Sequence, residues 1–139
     1  MVTSNEDLIE QARAVVSSRK LAGDNTAGDV GAALVTHLGN IYRGVCIDTG
    51  SGMGFCAEHA AVAAMVTARE SSIAKVVAVW LDKDGTLFVL PPCGRCREFM
   101  SQIDESNLDA EVVLGRVKTA RLRELLPSHE WPEPYSSRL

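Results

Sequence analysis

Two short cysteine clusters carry most of the chemistry available to this chain: Cys56-Ala57-Glu58 and Pro92-Cys93-Gly94-Arg95-Cys96. A Cys-x-x-Cys at a helix start places two thiols within one turn, beside free backbone N–H groups and the positive end of the helix dipole. Such thiols ionise readily and are soft ligands suited to Zn²⁺. Cys56, 37 positions before Cys93, supplies a third ligand if its own helix begins beside the other. Three protein ligands and one open position characterise a catalytic zinc, whereas structural sites close with four. Glu58 falls two positions after a ligand, near the metal but poorly placed to share the coordination geometry of Cys56. That suits a general acid/base acting on a metal-activated water. Three thiolates with Zn²⁺ leave about one negative charge, offset by two helix N-termini, the amides between Pro92 and Cys96, and Arg95 donating toward a ligand sulfur.

Plainer readings stand beside this one. A Cys-x-x-Cys alone is equally a redox pair or half of a structural zinc site; Cys56, Glu58 and Pro92 together favour catalytic zinc. Four cysteines could pair as disulfides, but the polar, acidic start Met1–Asp7 lacks a signal-peptide pattern. The expectation is therefore a cytoplasmic, reducing location and free thiols. Cys46 reads as a buried core thiol, with a pocket-lining role as the alternative. His59, on an alanine-rich helix, reads as a packed neighbour of the metal site rather than a fourth ligand. His37 and His129 read as solvated. Asp48 divides evenly between capping a turn and binding substrate hydroxyl or ammonium groups. Phe55 could stack on a pyrimidine or pack in the core, and Met53 could line a pocket.

The elements that must position these residues follow from periodicity. Ser4 to Leu21 shows helical spacing. Gly23 to Gly28 is turn chemistry, and Val30–Thr36 and Ile41–Ile47 are strands joined at Leu38-Gly39-Asn40. Asp48 to Gly54 holds three glycines in seven residues, a loop permissive of close backbone approach. Cys56 to about Ser71 is alanine-rich and helical. Ala74–Leu81 and Thr86–Leu90 are strands around Asp84-Gly85. Cys93 to Ile103 is a helix, Glu111–Leu114 a strand, and Thr119–Leu126 a short helix. This order predicts a three-layer α/β/α sandwich around a mixed sheet. One domain is expected over residues 1–139, with 128–139 as a C-terminal tail.

Composition narrows the partners. The 139 residues are 46% hydrophobic and 23% charged, values of an ordinary globular protein. Lys and Arg number 14 against 18 Asp and Glu, a formal net charge of −4; that argues against a nucleic-acid polymer, which draws on clustered positive charge. Aromatic residues at 5% are too sparse for an array of base-stacking platforms. No apolar run approaches the roughly 20 residues of a membrane span, so no membrane partner is expected.

The Cys-x-Glu and Pro-Cys-x-x-Cys pattern is the signature of zinc deaminases. With Gly44-Val45, Arg97 and Arg123-Glu124-Leu125-Leu126-Pro127, the chain resembles the free-nucleoside branch of the cytidine deaminase superfamily, and within it the blasticidin-S deaminases. The resemblance spans residues 28 to 131, about. It implies Zn²⁺ on Cys56, Cys93 and Cys96, Glu58 as proton shuttle, a five-stranded mixed sheet, and a homotetramer (or a homodimer) with sites near subunit interfaces. It further implies that amides around Ala57 and Cys93 orient substrate, and that the tail with Trp131 and Tyr135 packs near a neighbouring site. Two departures stand out. Cys46-Ile47-Asp48 replaces the family's ribose-binding Asn-x-Glu, and His59 stands where arginine is usual; a thiol is a poor substitute for an amide. The expected substrate is thus a small aminated heterocycle, a cytosine-type nucleoside or analogue. A housekeeping cytidine or deoxycytidine deaminase is the alternative, a polynucleotide editor is disfavoured by charge, and a non-catalytic zinc-stabilised interaction module would need no Glu58.

Overall fold

The structure, a computed structural model, describes residues 3–135. Its elements are α1 (Asn5–Arg13), β1 (Arg19–Lys20), β2 (Thr26–Thr36), β3 (Ile41–Asp48), α2 (Ala57–Thr67), β4 (Ile73–Leu81), β5 (Leu87–Leu90), α3 (Gly94–Ile103), β6 (Glu111–Val113) and β7 (Thr119–Arg121), with 3-10 turns at Glu105–Asp109 and Leu122–Leu125. Hydrogen bonding runs β1-β2-β4-β6-β7, with β3 on β2 and β5 on β4. β4 and β6 are parallel and the other pairs antiparallel, so the sheet is mixed as expected.

Strand parity divides the core into two. On one face Leu8, Ile9 and Ala12 of α1 meet Ala33, Val35, Val77, Val79 and Val113. On the other, Ala57, Ala61, Val62 and Met65 of α2, with Met100 of α3, meet Ala32, Leu34, Val76, Ala78 and Val112. Odd and even positions of β2 and β4 thus serve opposite layers, which yields the three-layer sandwich.

Three expectations need correction. The sheet has seven strands rather than five, because short β1 and β7 extend it. The first helix stops at Arg13, not Leu21. Beyond it the chain turns, Ser17 N donates to Gly28 O at 2.9 Å, and Arg19 pairs with Ala27 as strand. Val16 still packs against the α1 face of the core, so burial of irregular chain imitated helical periodicity. Likewise Thr119–Leu126 is strand then 3-10 turn: Ala120 pairs with Val112, and Arg121 N donates to the Glu124 carboxylate at 3.1 Å. Smaller shifts are the earlier start of β2 at Thr26 and the earlier end of α2 at Thr67.

One glycine fixes how α2 lies on the sheet. A Cβ on Gly44 would sit 2.4 Å from the Ala60 Cβ and 2.5 Å from the Ala61 nitrogen, far inside van der Waals contact. Only glycine lets β3 and α2 approach so closely.

Candidate active site

Cys56 and Cys93 are the N-cap residues of α2 and α3, both with extended backbone, and neither side chain caps its own helix. Cysteine is not a favoured N-cap; Ser, Thr, Asp or Asn would stabilise the helix by about 1 kcal/mol more. Both sulfurs are thus free to face each other. Cys56 Sγ lies 3.5 Å from Cys93 Sγ, and Cys93 Sγ lies 3.5 Å from Cys96 Sγ. All three sulfurs fall within 4.8 Å of one another. Tetrahedral zinc with Zn–S near 2.3 Å requires sulfurs about 3.8 Å apart, so this donor set fits the ion with small adjustments. The cysteines are free thiols, as expected.

The surroundings explain the ionisation of the cluster. Burial, then contact with Cys93, pushes the Cys56 thiol up. Burial and the charge of Glu58 push Cys96 far up. Burial also opposes the Cys93 thiolate, but the amides of Cys96 and Arg95 and the adjoining thiols outweigh it and hold that group below its ordinary value. This is the helix N-terminus acting on a thiolate. Cys56 and Cys96 resist ionisation beside Cys93, which favours it, and a bound cation would favour the thiolate form of all three.

Glu58 is 5% exposed, on the first turn of α2. Burial raises its carboxyl above the ordinary range, with its own backbone amide and the Cys96 thiol opposing in part. His59 places Nδ1 3.4 Å from Cys96 Sγ and stacks on Phe99 with ring centroids 4.5 Å apart. Burial, then the charge of Arg95, lowers its pKa, which favours the neutral ring. Arg95 donates to Gly54 O at 3.3 Å instead of reaching a sulfur, tying α3 to the glycine loop. Arg97 anchors the segment before α3, donating to Pro92 O at 2.8 Å and Leu125 O at 3.0 Å.

A cleft of about 670 Å³ opens beside the cluster, lined by Cys56, Cys93, Ala57 and Glu58. Asp48, Phe55 and Arg95 line it as well, and Phe55 is held by paired backbone bonds with Ile47 at 3.1 and 2.9 Å. Cys46 does both things expected of it as alternatives: 6% exposed, it belongs to the core and faces the cleft. Met53 does not line the cleft and is 77% exposed. Trp131 is 91% exposed and lies outside the cleft of its own chain; the end of the tail, 136–139, lies outside the described residues. His37 is exposed, but His129 is half-buried with Nδ1 2.8 Å from Leu126 O, so it is not simply solvated.

Among the cleft residues that the sequence reading did not single out are Trp80 and Asp29. Trp80, on β4, stacks on Phe88 at 5.3 Å and forms one wall; as one apolar residue in a strand it gave no signal. Asp29 also lines the cleft. It lies in a bulge of β2, where Gly28, Asp29 and Val30 stand opposite the single residue Cys46 of β3. Gly28 (φ +86°), whose Cβ would lie 2.2 Å from Ser17 O, was the available sign, since glycine inside a strand marks a bulge.

Comparison with known proteins agrees with this geometry. The family model described as the cytidine and deoxycytidylate deaminase zinc-binding region matches residues 2–112. A cytidine deaminase of Halalkalibacterium halodurans is 35% identical over 103 residues, covering 70% of this chain and 74% of the relative. Among solved structures, the cytidine deaminase from Burkholderia pseudomallei has a TM-score of 0.71 at 30% identity, over 90% of this chain and 98% of that one. The enzyme from Mycobacterium tuberculosis has a TM-score of 0.69 at 27% identity, over 88% and 94% of the two chains.

Proposed function

Since the chain belongs to the cytidine and deoxycytidylate deaminase zinc-binding family, and is thus a zinc-dependent hydrolytic deaminase acting on C–N bonds, we propose that it deaminates a small cytosine-type nucleoside or analogue. The observation that carries the assignment of roles is the buried Glu58 carboxyl lining a cleft beside three clustered sulfurs. Cys56, Cys93 and Cys96 would hold zinc, which would supply the Lewis acidity that makes water a nucleophile near neutral pH. Glu58 is placed to take one proton of the water that adds to the amine-bearing carbon, C4 of cytosine, and to pass it to the ring nitrogen. It then takes the second proton from the new C4 hydroxyl and delivers it to the amino group, so that the C–N bond breaks, ammonia leaves and a carbonyl remains at C4. Burial raises the Glu58 carboxyl above its ordinary value, the direction that suits a group which must both take and return a proton. Phe55 and Trp80 offer apolar walls for a planar ring, and the amide of Ala57 orients it.

The finer reading is a modified nucleoside resembling blasticidin S. It is supported by Cys46-Ile47-Asp48, whose thiol cannot replace a hydrogen-bonding amide. The competing reading, a cytidine or deoxycytidine deaminase, is supported by the cytidine deaminase relative. Assembly into a homotetramer is supported by α2, which is apolar on nearly all sides yet leaves Val66 47% exposed; helices of that kind are normally buried. In such an assembly Trp131 and Tyr135, 91% and 97% exposed, reach a neighbouring subunit.

The test is ammonia release and ultraviolet change with cytidine, deoxycytidine, deoxycytidylate, cytosine and blasticidin S, on wild type and Glu58→Gln. The variant is expected to retain about one zinc per chain and to lose at least 10²–10⁴-fold in kcat. Undiminished turnover by zinc-loaded Glu58→Gln would refute the assigned role.

A further inference from the structure

Strand register lays the sheet side of the cleft in rows. Ala32, Ala78 and Leu90 stand abreast on β2, β4 and β5; two residues farther along the same strands stand Val30, Trp80 and Phe88. Both rows share the face that carries α2 and α3, since positions of equal parity point the same way. The first row is closed: Ala32 and Ala78 are buried, and Ala78 and Leu90 line the cleft together with Glu58. The second row is open. Trp80 and Phe88, stacked with centroids 5.3 Å apart and planes 25° from parallel, are 40% and 42% exposed. Val30 and Trp80 line the cleft, and Phe88 carries the same wall on beyond it. Exposure of that degree leaves on the order of 60–100 Å² of each aromatic side chain in water. Two residues of strand advance about 7 Å, so the indole lies that far past Ala78.

We propose that Val30, Trp80 and Phe88 form an apolar platform for an aromatic group joined to the aminated ring by a short link, with Trp80 the residue that selects for it. The inference rests on the deaminase reading above and narrows its substrate class. The amine-bearing carbon must come within a proton's reach of Glu58, which sets the reacting ring over the Ala78 row. A substituent about 7 Å away then falls on the indole. The platform is two rings wide, and beyond the indole N–H its side chains offer no hydrogen-bonding group. It therefore favours an aromatic group, which gains stacking beyond the area it covers, over a hydroxylated one, which gives up hydrogen bonds to water. Because the platform runs unbroken from the wall of the cleft, substrate is its occupant; a second copy of this chain is the competing one.

The experiment reads binding in a turnover-deficient background. Zinc-loaded Glu58→Gln is titrated calorimetrically with 1-methylcytosine and 1-benzylcytosine. The benzyl compound is expected to bind about thirtyfold more tightly, the ratio that follows from covering about 80 Å² of apolar surface. The titrations are repeated with Trp80→Leu or Phe88→Leu added. Trp80→Leu keeps an apolar side chain without the ring, and the ratio should fall to about threefold or less. Phe88→Leu leaves the indole alone, and the ratio should fall to about tenfold; this variant decides the matter if Trp80→Leu does not fold. Equal binding of the two compounds, no binding of the benzyl compound, or a ratio that survives substitution would overturn the proposal. So would an oligomer, followed by sedimentation without ligand, that Trp80→Leu dissociates while the ratio stays near one; that result would assign the platform to a second copy. Failure of wild type to release ammonia from cytidine or from either probe would instead overturn the deaminase assignment, while the binding ratio still decides the platform.

Discussion

Substituting Gly44 by alanine tests whether the strand–helix approach sets the metal site. The added Cβ would lie 2.4 Å from the Ala60 Cβ and 2.5 Å from the Ala61 nitrogen, against ordinary contacts of 3.4–4 Å. The shortfall is about 1 Å, and the atoms met are helix backbone and a methyl, with no flexible side chain to yield. Either α2 lifts or β3 bends. Overpacking of this kind costs about 1–3 kcal/mol, a fall in Tm of roughly 3–10 °C for a domain of this size. Cys56 caps α2 while Cys93 and Cys96 ride on α3, so lifting α2 also moves one sulfur relative to the other two. Zinc tolerates ligand distances only within about 0.2 Å. Zinc affinity should therefore fall alongside stability, and kcat/KM by about 10²-fold, the usual effect of a 1 Å misplacement. The assays are thermal melting, competition with a zinc chelator, and turnover of the best substrate. Gly50→Ala is the control, since nothing lies within 4 Å of its Cβ position. Gly44→Ala protein that melts with wild type and keeps full zinc affinity would refute this reasoning.

Other predictions follow from the same contacts. Arg97→Ala leaves Pro92 O and Leu125 O without their donor; a loss of about 1–3 kcal/mol and faster zinc release to a chelator are expected, and an unaltered release rate would remove Arg97 from the support of α3. Stripping zinc should lower Tm and adding it back should restore it, by about 4 kcal/mol at a thousandfold excess over Kd; a Tm indifferent to chelator counts against a metal linking α2 to α3. Hydrogen bonds from Thr36, Tyr42 and Asn40 hold the Glu70 carboxyl below its ordinary value of 4.5. The folded state therefore binds that proton less readily than the unfolded one, and the stability is present above pH 4.5 and lost as pH falls through the lower folded value. Melting curves of wild type and Glu70→Gln should converge on acidification through that window, and parallel curves would contradict it.

Much of the site could be read from spacing because helix N-termini are local events. Pro92 before a Cys-x-x-Cys, and an alanine-rich run after Cys56, are enough to place thiols at two helix starts. The order of helices and strands was similarly legible, and it gave the layered α/β/α arrangement; that Val76 and Val77 serve opposite layers came from the structure. The errors fell where partners distant in sequence decide. Val15 and Val16 have helical spacing, yet the chain around them is shaped by pairing between Arg19 and Ala27. Leu122 is buried, but its neighbours on both sides are held by β6 and by a turn rather than by a helix.

The residue types alone determined that this chain offers three soft ligands for one metal, a carboxyl two positions from one of them, and a net negative charge. Tertiary structure decided the rest of the cleft. Asp29 became a wall residue through a bulge set by strand register, Trp80 through its place on β4 stacked against Phe88, and Cys46 by facing core and cleft together. Coordination chemistry is carried by side-chain identity within a turn, whereas the shape and charge of a cavity depend on which strands lie side by side. Those neighbours are up to dozens of residues apart, and no local pattern records them.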